Sequence, residues 1–66
     1  MAQKIAVNRR GIAKLLRAGW PKRELANRFC ISRPFLDRLI IDSVEPAHPG
    51  ISLWINREIQ NALDGK

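Results

Sequence analysis

Apolar residues recur along this chain in short groups spaced three and four apart, and each group is closed by residues that break the period. Ile12, Leu15 and Leu16 fall at i, i+3 and i+4, the spacing of one helical face. Asn8 stands where a capping residue is expected, so a helix is predicted from about there to Ala18. Gly19 follows the last turn, where a left-handed residue ends a helix cheaply. Gly11 weakens the first turn, by up to ~1 kcal/mol relative to alanine.

The same face repeats twice more at short range. Leu25, Ala26 and Phe29 form a second group, opened by Trp20-Pro21, and Leu36, Leu39 and Ile40 form a third. Cys30-Ile31-Ser32 interrupts the period between them. Ser32 is a good cap for the third helix, but Pro34 pushes Arg33 away from helical angles, so Arg33 itself is the competing cap. With Leu36, Leu39 and Ile40 turned inward, Pro34, Arg38 and Ile41 point outward, Asp37 and Phe35 lie on the flanks, and Arg33 sits at the edge.

Residues 43–50, SVEPAHPG, are rich in proline and short polar side chains and read as a connector. Residues 51–64 read as a last amphipathic helix, with Ile51, Ile55, Ile59 and Leu63 every four residues and Trp54 and Ala62 beside them. That stripe exceeds what a three-helix core of this size needs. It either covers the core or pairs with its twin, and Ile51, Trp54, Ile55 and Ile59 are the candidate dimer interface. Ahead of the first helix, residues 1–7 form an arm, made basic by Lys4 and by Arg9 and Arg10 just after it, in which Ile5 and Val7 permit a short strand or a helical extension.

The expected fold is therefore all-α: one domain over residues 1–66, a small bundle of about four helices. A tri-helical core spans 8–42, and the connector and last helix follow. A chain of this length buries only about 60% of its unfolded surface, so oligomerisation would help it. No apolar run approaches the roughly 20 residues of a membrane span, and the first ten residues lack the apolar segment of a secretory signal.

Charge changes the picture. The net charge is +6, and residues 1–38 hold ten Lys or Arg against Glu24 and Asp37, a balance of +8, whereas residues 39–66 carry −2. One end of a tiny domain is strongly cationic, which draws a polyanion to one side. The bland alternative is that the charge serves solubility. Enzymatic chemistry finds little support: there is no paired-carboxylate, nucleophile–base or metal constellation and no glycine-rich phosphate loop. Single Cys30 and single His48 leave a zinc site short of ligands, and no cofactor or small-molecule substrate is indicated. Cys30 is expected to be a small buried apolar group, and His48 a solvated loop residue. The expected compartment is the cytoplasm, in association with the nucleoid.

Residues 22–41, KRELANRFCISRPFLDRLII, resemble the helix-turn-helix of phage repressors and of the DNA-binding ends of DNA invertases and transposases. Ala26 matches the family's small residue, and Leu25, Phe29, Ile31, Leu36 and Leu39 match its apolar positions. GIAKLLRAG ahead of it looks like the preceding support helix, so the resemblance covers about half the chain. The turn glycine common in the family is Cys30 here, and a proline at the start of the second helix is less usual.

The resemblance implies a second helix in the major groove of double-stranded DNA, with Ser32, Arg33, Pro34, Asp37 and Arg38 as base-reading candidates. Arg38 suits guanine, Asp37 a cytosine amino group or an orienting contact to an arginine, and Pro34 a thymine methyl. Ile41 suits a thymine methyl too, unless it packs under the last helix. Arg9, Arg10, Lys14, Lys22, Arg23 and Arg28 are candidates for phosphate contact. A small transcriptional repressor of phage, plasmid or bacterial type, acting as a homodimer on a palindromic operator, is the function this implies. An accessory factor of recombination, excisionase-like, would use the same residues. A helical protein-interaction module that never meets DNA is the alternative of another class.

Overall fold

In the computed structural model, residues 5–65 are described, and Lys4 of the expected arm lies outside them. Four helices follow one another: α1 (Arg9–Arg17), α2 (Lys22–Phe29), α3 (Arg33–Ile41) and α4 (Pro49–Leu63). The described residues contain no strand. Among the described residues neither a strand nor a helical extension precedes α1: residues 5–8 are irregular, and Val7 is buried.

Local chemistry explains where each helix begins and ends. Asn8 caps α1, its side-chain oxygen accepting from Gly11 N at 3.1 Å. At the other end Gly19 takes φ 102°, which lets Trp20 N reach Leu15 O and Gly19 N reach Leu16 O. α2 ends in the same double-bonded way, with Ile31 N on Ala26 O and Cys30 N on Asn27 O. The left-handed position there is Cys30, at φ 59° and ψ 39°. Cys30 is exposed, so the expectation of a buried thiol is wrong. The geometry of the turn, rather than the apolar character of the residue, decides where its side chain goes.

Ser32, not Arg33, caps α3: its Oγ accepts from Phe35 N at 3.3 Å while its carbonyl accepts from Leu36 N. Two bonds to one residue outweigh the proline's bias on Arg33, which becomes the first helical residue. α4 starts two residues before the expected boundary. Pro49 occupies the first turn, where its missing N–H costs nothing, and the His48 ring caps it, Nδ1 accepting from Gly50 N at 3.0 Å. His48 is thus a cap rather than a merely solvated side chain, and the connector ends with it.

The core is one cluster: Val7, Ile12, Leu15, Leu25, Ala26, Phe29, Leu36, Leu39, Ile55, Ile59 and Ala62, with Leu16, Trp20, Ile31, Phe35 and Ile40 packed around it. α4 lies on α1 and α2, and α1 also touches α3. α1 approaches α4 so closely that a Cβ at Gly11 would overlap Ile59 Cγ2. The glycine that weakens α1 on propensity alone is what allows this contact.

Ile55 and Ile59 are fully buried in this core, which removes them from the candidate dimer interface. A repeat of four residues drifts by about 40° per step around a helix of 3.6 residues per turn. The inner face of α4 therefore runs through Ser52, Ile55, Ile59 and Ala62, while Ile51 and Leu63 rotate outward.

Polar contacts complete the packing. Asn56 of α4 holds the segment before α1 from both sides, accepting from Asn8 N at 2.7 Å and donating to Ala6 O at 2.9 Å. Glu45 accepts from Val7 N at 3.0 Å.

Candidate nucleic-acid interface

The outward side of α3 is the surface on which the expectations converge. Arg33, Pro34, Arg38 and Ile41 are exposed and Asp37 is half-buried. Leu36 and Leu39 are sealed beneath them. Neither α4 nor the connector covers this face, because α4 is committed to α1 and α2. Among the described residues Arg33 and Arg38 make no ion pair.

α2 delivers a cation to the edge of this face. Lys22 Nζ lies 3.3 Å from Asp37 Oδ1, so Asp37 is turned toward Lys22 rather than toward Arg33 or Arg38. The pair joins the start of α2 to the flank of α3. It also offsets the unfavourable placement of Lys22 and Arg23 at the positive end of a helix dipole. Ser32 remains at the foot of the face, its oxygen occupied by the cap and its hydroxyl hydrogen available as a donor.

The six phosphate candidates divide. Arg10, Lys14 and Arg23 are exposed and make no ion pair among the described residues. Lys22 is partly held by Asp37. Arg9 is used inside the molecule: Nε donates to Leu39 O at 2.7 Å, one Nη to Val44 O at 3.1 Å, and the other meets Glu45 Oε1 at 2.7 Å. It ties α1 to the end of α3 and to the connector, a role that a count of charges in the sequence conceals. Arg28 lies over the Trp20 ring, 5.4 Å from its centroid, with Nε 3.3 Å from Glu58 Oε1. That binds α2 to α4 and draws Arg28 away from the remaining cations.

A second surface was only partly visible in the pattern. Ile51 and Trp54 of the candidate dimer interface are exposed; Leu53, 55% exposed, lies on another side of α4. Ile51 and Trp54 border an open apolar groove of about 390 Å³ that Phe29, Cys30, Ile31, His48 and Gly50 also line.

No helix among the described residues is long and apolar enough to cross a membrane. No family model, curated protein or solved structure matches the chain.

Proposed function

We propose that this protein is a sequence-specific double-stranded DNA-binding module, and that it regulates transcription as a small repressor of phage, plasmid or bacterial type. One observation carries the reading: α3 presents Pro34 and Arg38 on a bare outward face, with Arg33 exposed at its edge, Lys22 at its flank, and Leu36 and Leu39 sealed behind it. A helix supported in this way fits the major groove, where an arginine pairs with the O6 and N7 of guanine. Arg10, Lys14 and Arg23 supply phosphate contacts that set orientation without reading sequence. Arg9 and Arg28 do not enter this set, since their guanidinium groups brace the bundle.

A module this small makes few base contacts. Two copies on half-sites about one helical turn apart multiply the affinity of one. The exposed apolar pair of Ile51 and Trp54, with the groove they border, is the surface that would join them.

Selection of bound sequences from a random duplex pool tests the reading. An enriched site with binding that falls steeply as salt rises supports it, and a palindromic site supports the dimer. Failure to enrich any sequence, with no salt-dependent affinity for duplex DNA, would leave the groove beside Trp54 as the functional surface of a protein-interaction module.

A further inference from the structure

Ile41 is 71% exposed, more than any other large hydrophobic residue among those described. It contributes nothing to the core, yet it does not sit on a loose end. Arg9 donates to Leu39 O and Val44 O, and Asp42 N and Val44 N both return to Arg38 O, so the last turn of α3 is anchored to α1 and the connector. An exposed apolar side chain on a firmly anchored turn of a cationic face calls for an apolar partner within a polyanion.

Position supplies that partner. Ile41 follows Arg38 by three residues and Pro34 by seven, so at 100° per residue the three side chains lie within an arc of about 60° on the outward side of α3. The apolar group that a major groove offers at base edges is the C5-methyl of thymine. We infer that Ile41 is a specificity-determining residue of α3 that selects a thymine by packing on this methyl group. The inference rests on the proposed entry of α3 into the major groove. Three residues of helix rise about 4.5 Å, against about 3.4 Å per base-pair step, which sets the thymine one to two base pairs beyond the pair read by Arg38.

The test uses the full chain and its selected duplex, with each thymine replaced in turn by deoxyuridine, which removes the methyl and leaves pairing intact. The wild type should lose about fourfold in affinity at one thymine, the worth of one buried methyl group. Ile41→Ala, folded by circular dichroism, should bind the thymine and deoxyuridine duplexes equally at that position. Indifference of the wild type to every replacement overturns the inference while duplex binding persists. So does Ile41→Ala that keeps the wild-type discrimination, or that changes only self-association in sedimentation. Absence of any salt-dependent duplex binding overturns the groove reading itself, and the inference with it.

Discussion

Lys22 and Asp37 meet across the junction of α2 and α3, Nζ 3.3 Å from Oδ1, and both side chains remain more than one-third exposed. Such a pair contributes little to stability, about 0–1 kcal/mol, because water screens it. Its consequence is electrostatic: a carboxylate on the flank of the candidate reading helix holds an ammonium that would otherwise be free to meet a phosphate. Asp37→Asn should leave the denaturation midpoint nearly unchanged. It should raise affinity for all duplex sequences and steepen the dependence on salt by about one unit of slope. Titrations at several salt concentrations measure this. Loss of preference at a single base pair with no change in slope would assign Asp37 to cytosine instead.

Arg38 and Arg23 are expected to behave differently, although both are exposed cations. Arg38→Ala should cost ~1–3 kcal/mol on the selected site and relax the preference at one base pair. Arg23→Ala should weaken binding to all sequences alike. Competition assays against single-base variants of the site separate the two, and uniform weakening by Arg38→Ala would mean that it touches only phosphate.

The contact of Gly11 with Ile59 reverses the usual sign of a glycine-to-alanine change in a helix. At an open position alanine would gain up to ~1 kcal/mol. Here the added methyl meets Ile59 Cγ2, which is fully buried and has no room to yield. Gly11→Ala should therefore lose about 1–3 kcal/mol in urea denaturation. Ile59→Leu, which lacks that branch, should recover part of the loss in the double variant.

Cys30 holds the left-handed position that ends α2 without being glycine. Cys30→Gly relieves the Cβ strain, offset in part by the greater freedom of glycine in the unfolded chain, and should stabilise by about 0.5–1 kcal/mol. Thermal unfolding under reducing conditions measures it. A lower midpoint would show that the thiol packs usefully against the groove it borders.

Trp54 and Ile55 are adjacent in the chain and opposite in environment, 45% and 0% exposed. Trp54→Ala should shift the protein toward monomer in sedimentation with little change in stability, whereas Ile55→Ala should cost about 2–5 kcal/mol of stability. A wild type that is already monomeric at high concentration would rule out the dimer.

The chain by itself determined the four helices, because groups such as Ile12-Leu15-Leu16 and Leu36-Leu39-Ile40 repeat at the helical period and Asn8 and Gly19 punctuate them. It also determined which side of α3 faces out, since sealing Leu36 and Leu39 leaves Pro34, Arg38 and Ile41 only one direction. Only the tertiary structure decided how the cations are used. Arg9, Arg10, Lys14 and Arg28 look alike in one dimension, but whether a guanidinium braces helices or stays bare depends on carbonyls and carboxylates brought from about 30 residues away, such as Leu39 O and Glu58. The phase of α4 was likewise undecided until it packed, because isoleucines at a four-residue repeat drift around the helix and the core accepts only one part of that spiral.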